Sequence, residues 1–231
     1  MNLSSINIFR SSRKENQQFA VIGLGRFGRA VCSTLHKLGY EVLGTDIDER
    51  RVAQALKDQI VAHAIQLDST DPAALNEAGI LEFSTVIVAI GNYLEESVIT
   101  TLNVKEAGVP YVVAKASSEV HCKLLRRVGA DHVVYPENEA GRALARSLTK
   151  PAILDRFELD PNNSIVEAMV PVDFHGRTIS ELQLRSRYGL NLLAIGQDEQ
   201  FEINPDPNKR LHKGMAMVVI GCNRDIDRLP I

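Results

Sequence analysis

From Phe19 onward, short apolar runs alternate with longer stretches whose apolar residues recur at helical spacing. "FAVIGL" is an apolar run of strand length. "FGRAVCSTLHKLG" follows it, puts Val31, Leu35 and Leu38 on one helical face, and stops at Gly39. "YEVLGTD" and "DERRVAQALKD" repeat the pair, and "IVAHAIQLD" supplies a third strand. "DPAALNEAG" opens with an acidic cap and a proline and closes on glycine, which predicts a short helix. "STVIVAIGN" is apolar without alternation, the pattern of a strand buried on both faces. "EESVITTLNVKEAG", "VPYVVAK", "SEVHCKLLRRVG" and "ADHVVYP" then read as helix, strand, helix and strand. Six strands spaced by helices predict a doubly wound parallel sheet, Rossmann-like, with strand order 3-2-1-4-5-6.

The pattern changes near residue 150. "ENEAGRALARSLTK" is a helix that Pro151 ends. Beyond it, "AILDRFEL", "SIVEAMVP", "NLLAIGQ", "QFEINP" and "AMVVIGC" read as strands. One helix, "TISELQLRSRYG", capped near Thr178, interrupts them, and "NRDIDRL" reads as a short terminal helix. The expected organisation is a flexible tail over 1–17, a nucleotide-binding domain over 18–150 and a smaller C-terminal α+β regulatory domain over 151–231.

Composition narrows the function classes. The 231 residues carry a formal net charge of -3, which argues against a protein that coats nucleic acid. Apolar runs such as "VIVAI" are far short of the ~20 residues of a membrane helix, and no basic block suggests a lipid anchor. Residues 1–17 lack the apolar core of a signal peptide. Cys32, Cys122 and Cys222 are odd in number and far apart, so they read as reduced core residues of a cytoplasmic protein. The histidines show no metal-ligand spacing.

Gly23, Gly25 and Gly28 fit G-x-G-x-x-G. The first glycine permits the tight turn, the second lets the backbone approach a phosphate, and the third lets the helix pack closely. The turn follows a strand, opens a helix and precedes Asp46 at the end of the second strand, which is the dinucleotide-binding context. Asp46 at that position accepts hydrogen bonds from ribose hydroxyls and repels a 2′-phosphate; its plainer role is to cap "DERRVAQALKD". Asp68 either meets the adenine edge or caps the next helix. Ala89–Asn92 end the fourth strand beside the first, where the strand order reverses and ligands bind. Arg26, inside the turn, reaches phosphate oxygens or is simply solvated. No catalytic constellation stands out after Pro151: His175 and His212 lie in turns without a readable carboxylate partner.

"FAVIGLGRFGRAV", "DID", "VIVAIG", "VAKA" and "GADHVVYPE" resemble the regulator-of-potassium-conductance (RCK) domain family, in particular the KtrA/TrkA-type cytosolic subunits of bacterial potassium uptake. "SIVEAMVP" and "GRTISELQLRSRYGLNLLAI" resemble the C-terminal domain of that family, although Gly214-Met215 stands where members often have Gly-Asp. The resemblance implies a homo-oligomeric ring, commonly an octamer, that binds ATP or ADP, or NAD(H) in some members. Such a ring lies in the cytoplasm, peripheral to the membrane, and docks on a KtrB/TrkH-like potassium translocator. It further implies a nucleotide site of Gly23, Gly25, Arg26, Phe27, Gly28, Asp46, Ile47, Asp68, Ser69, Ala89, Ile90, Gly91, Asn92 and Lys115. Arg26 is implied to reach the γ-phosphate, and Glu137 to help hold Mg2+ or another cation at the ATP interface. Read without the family, Glu137 is a helix-end charge. Some relatives bind cyclic di-AMP in the second domain, for which Arg185 and the "LLAI" segment are the candidates. The competing readings are an NAD-dependent oxidoreductase and the gating module of another channel or transporter.

Overall fold

A computed structural model describes residues 18–197 and 200–230; the tail expected over 1–17 lies outside the described residues. By its internal contacts the chain divides between Ala140 and Gly141, upstream of Pro151 and inside a helix.

In the first unit the strands are β1 (Gln18–Ile22), β2 (Glu41–Asp46), β3 (His63–Gln66), β4 (Thr85–Val88), β5 (Tyr111–Lys115) and β6 (His132–Val134). They pair in parallel in the order β3-β2-β1-β4-β5-β6, as the alternation predicts. The helices are α1 (Arg26–Lys37), α2 (Glu49–Lys57), α3 (Pro72–Glu77), α4 (Leu94–Glu106), α5 (Glu119–Arg127) and α6 (Pro136–Thr149). Period-two alternation in β1 divides the core between the two sheet faces. Phe19 and Val21 join Leu24, Cys32, Val42, Val52 and Ala55, the side of α1 and α2. Ala20 and Ile22 join Leu43, Leu75, Val86, Val88, Val104 and Leu125, the side of α3, α4 and α5.

The helical stripe of α1 differs from the expectation at its end. Lys37 closes the helix, and Leu38, just beyond it, is 64% exposed. Val31 and Leu35 are half-buried, and Cys32 and Gly28 are the buried contacts. Burial pushes the Cys32 thiol up to about 12, so it is an inert apolar group.

The second unit is an antiparallel sheet of β7 (Ile153–Glu158), β8 (Asn163–Met169), β9 (Asn191–Gln197), β10 (Gln200–Ile203) and β11 (Ala216–Cys222), in the order β10-β9-β11-β8-β7. Val166, Ala168, Leu182, Leu190, Met217 and Val219 form its core. The expected single helix over "TISELQLRSRYG" is two short ones, α7 (Ile179–Leu182) and α8 (Leu184–Tyr188). Gln183 breaks them in the left-handed region at φ 48. Residues two apart cannot share one helical face. The break lets Leu182 and Leu184 both enter the core. Thr178 caps α7 with a reciprocal capping box to Glu181. The last helix, α9 (Asn223–Ile226), is short as expected. Cys222 is exposed, unlike buried Cys32 and Cys122, so it is not a core residue. Among the described residues no helix is long and apolar enough to cross a membrane.

Candidate nucleotide site

The glycine turn is built by three different constraints. Gly23 has φ +100, and a Cβ there would sit 3.1 Å from the Ala89 carbonyl carbon. Its N–H donates to the Thr45 carbonyl at 2.7 Å, tying the turn to β2. Gly28 has no room at all: a Cβ would lie 1.8 Å from the Gly23 carbonyl oxygen. The third glycine thus packs α1 onto the turn's own backbone. Gly25 differs from both. Its φ of -70 suits any residue, and a Cβ there would meet nothing within 4 Å. The open space lies at the N-terminus of α1, where free N–H groups and the helix dipole favour an anion. That terminus has neither a side-chain cap nor an acidic residue in its first turn. By contrast Asp48, Asp71 and Ser118 cap α2, α3 and α5.

Asp46 ends β2 and is 5% exposed. Its Oδ2 accepts the Leu24 N–H at 2.7 Å, and its Oδ1 accepts the Asp48 N–H at 3.0 Å. The carboxylate therefore fixes the glycine turn from across the strand boundary. It does not cap α2, because Asp48 does, accepting the Arg50 N–H at 2.9 Å. Arg51 lies 3.3 Å from Asp46 Oδ2, a partner that its placement one helical turn into α2 could have signalled. Ile47, beside it, is 66% exposed, an apolar surface suited to a flat base. Asp68 likewise caps no helix. Its Oδ1 accepts the Thr70 N–H and hydroxyl, which hold its carboxyl below the usual range, and Asp71 caps α3. Ser69 is buried, its hydroxyl 2.8 Å from that of Thr100.

The end of β4 closes the other side. The Ala89 N–H donates to the Ile22 carbonyl at 2.7 Å, so β1 and β4 stay in step to the rim of the sheet. Ile90 and Gly91 are half-buried, and Asn92 is exposed. Lys115, the last residue of β5, reaches across Gly91, where a Cβ would lie 2.7 Å from its Nζ. Nζ donates to Glu137 Oε1 at 2.7 Å and sits 5.9 Å from the centre of the Phe27 ring. The Lys115 side chain is 11% exposed and that of Glu137 63%. The Lys115 hydrogen bond holds the Glu137 carboxyl below its ordinary range, and the charges of Lys115 and Arg26 add to the effect. Arg26, Phe27, Gly91, Lys115 and Glu137 therefore gather at one end of the sheet, with Asp46 and Ile47 at the end of β2.

His121 escaped the sequence reading. It is fully buried on α5, its Nδ1 3.3 Å from the Ser117 N–H, and its Nε2 finds no partner among the described residues. Burial first, and the charge of Lys115 second, lower its pKa. In the second unit a cleft of about 800 Å³ is lined by Ile179, Gln183, Arg185, Leu192, Asn204 and Pro205, among others. It includes Arg185 and one residue of the "LLAI" segment.

Residues 19–136 match the TrkA-N domain and residues 165–229 the TrkA-C domain. The chain is 39% identical over 212 residues to the Ktr system potassium uptake protein C of Bacillus subtilis (strain 168), spanning 92% of this chain and 95% of that one. It is 37% identical over 216 residues to the Ktr system potassium uptake protein A of the same organism, spanning 94% and 96%. The solved GsuK channel bound to NAD shares the fold, with a TM-score of 0.55 at 23% identity over 97% of this chain and 40% of that one. Both domains are present in the same order and nearly the full length aligns, so the chain belongs to the TrkA-N/TrkA-C family of potassium uptake proteins, alongside Ktr proteins A and C.

Proposed function

We propose that the chain is a nucleotide-sensing regulatory subunit that binds ATP or ADP and sets the activity of a membrane potassium translocator. The observation that carries this reading is the uncapped N-terminus of α1 opening onto free space at Gly25, with Arg26 and Lys115 beside it. That is an anion site with two cationic side chains. The ribose and base fall toward Asp46 and Ile47. NAD, bound by the GsuK channel of the same fold, is the competing ligand. A hydride-transfer enzyme would need a proton-transfer group facing the cofactor. Here Lys115 and Glu137 are paired with each other and Asp46 accepts two backbone N–H groups, an arrangement that supports binding over turnover.

The residues present fit a cation as well. Among the described residues no three His, Cys, Asp or Glu side chains converge as a metal cage. Mg2+ needs only one or two carboxylates when phosphate and water supply the rest, and exposed Glu137 is such a group. The assembly is a ring, with the octamer of the family as the expected size, seated on a KtrB/TrkH-like translocator. Differential affinity drives the regulation: ATP favours one ring shape only if its third phosphate meets contacts that ADP lacks, and Arg26 supplies them. The open cleft around Arg185 has the volume of a small-ligand site and is the place for cyclic di-AMP.

Calorimetric titration of the chain with ATP, ADP and NADH tests the reading. Adenine nucleotides should bind with ATP and ADP distinguishable. Hydride transfer to simple alcohols or acids, with no ATP binding, would favour the oxidoreductase instead.

A further inference from the structure

Lys115 and Glu137 hold each other across the phosphate end of the cleft, and only one of them is sheltered. The lysine head is largely buried over Gly91 and near the Phe27 ring, and Glu137 Oε1 accepts its hydrogen bond at 2.7 Å. Glu137 stands in the first turn of α6, the helix through which the chain passes into its second unit. A phosphate arriving at the N-terminus of α1 meets an ammonium group that is already engaged.

The geometry points to an ion-pair exchange: an anionic phosphate draws Lys115 away from Glu137, so ligand binding and the release of the α6 first turn are one event. The inference rests on the nucleotide reading above and adds its regulation. A lysine ammonium is a mobile point charge with three donors, so it can turn from a carboxylate to a phosphate without moving β5. A carboxylate beside an incoming phosphate is repelled as its partner leaves. The same coupling runs backwards. Whatever neutralises or occupies Glu137 frees Lys115 and strengthens phosphate binding, because linkage between two sites is reciprocal. Phosphate and cation then assist each other, since each removes the other's competitor. The folded chain is thereby biased toward a paired, ligand-free state, and the exposed half of the pair keeps that bias small.

Titration calorimetry with ADP in the absence of divalent cation tests this on the full chain, in four forms: native, Glu137→Gln, Lys115→Gln and the double variant. Glu137→Gln should bind ADP about two- to fivefold more tightly, the range set by a partly exposed ion pair. Lys115→Gln should bind more weakly. In the Lys115→Gln background, adding Glu137→Gln should tighten ADP binding by a clearly smaller factor, because no pair is left to break and only the repulsion between carboxylate and phosphate is removed. If Glu137→Gln tightens binding equally in both backgrounds, Glu137 is only a repelling charge and the exchange is wrong. No gain in the native background also overturns it. A native chain that binds no ADP overturns the nucleotide reading itself, and the exchange with it. Melting curves identify any variant that fails to fold, in which case Lys115→Met, which keeps the buried stem, replaces Lys115→Gln.

Discussion

Asp46 serves the fold before it serves a ligand. Its carboxylate takes two backbone N–H groups, one from the glycine turn, so its loss loosens the turn as well as the proposed ribose contact. Asp46→Ala leaves the Leu24 N–H unpaired and should cost about 1–3 kcal/mol of stability together with ADP affinity. Asp46→Asn keeps one acceptor oxygen. It should retain more of the melting temperature and still lose affinity about tenfold, since a charged acceptor is worth about 1.5–3 kcal/mol. Calorimetry beside thermal melts separates the two effects; equal ADP affinity in Asp46→Asn and the native chain removes the ribose role. Buried His121 makes a pH prediction. Its pKa is lowered by burial and by the Lys115 charge, so the folded chain takes up that proton at a lower pH than the unfolded chain, whose ordinary value is 6.5. The associated stability is whole above that value and falls as the pH drops below it. Melts between about pH 7.5 and pH 5.5 should show a steeper loss for the native chain than for His121→Asn. Equal slopes would mean that His121 is protonated in the fold.

At the scale of elements, the three glycines of the turn separate folding from binding. Gly28→Ala forces a methyl to within 1.8 Å of the Gly23 carbonyl, so α1 must shift and the chain should lose several kcal/mol of stability, beyond the about 1–3 kcal/mol of ordinary overpacking. Gly25→Ala meets open space and an ordinary backbone angle, so the ligand-free melting temperature should fall only slightly, by the exchange of a glycine N-cap for an alanine one. The added methyl stands where the proposed phosphate would approach, and the nucleotide-induced rise in melting temperature should disappear. A full rise in Gly25→Ala would put the phosphate elsewhere. Much of this scale was legible beforehand. Strand order followed from alternation, because continuous apolar runs bury on both faces and crossovers have one hand. The cap of α2 and the break at Gln183 were not. Two aspartates flank the start of α2, and backbone geometry alone decides that Asp48 caps while Asp46 turns back to the glycine turn. At Gln183 a continuous helical period conceals that Leu182 and Leu184 both need the core. The motif located Arg26 and Asp46, whereas the Lys115–Glu137 pair joins the end of β5 to the first turn of α6, 22 residues on, which no local pattern reveals.

For the whole molecule, the two-domain plan and the near full-length likeness to Ktr proteins A and C make regulation of potassium uptake the setting of the proposed nucleotide site. A ring of identical chains multiplies a modest per-site preference, since couplings of about 1–3 kcal/mol at each site add around a closed symmetric assembly. Native mass measurement should therefore find a closed oligomer, an octamer of the 25.5 kDa chain, and a monomer at micromolar concentration would remove this amplification. On the proposed reading Arg26 tells ATP from ADP, so Arg26→Ala should narrow that difference in affinity and keep much of the ADP binding. The most direct test of the central claim is potassium flux into vesicles that hold the membrane translocator, with the chain added in ATP or in ADP. Flux should differ severalfold between the two nucleotides with the native chain and not with Gly25→Ala. Equal flux in ATP and ADP with the native chain, at concentrations where both bind, would contradict it.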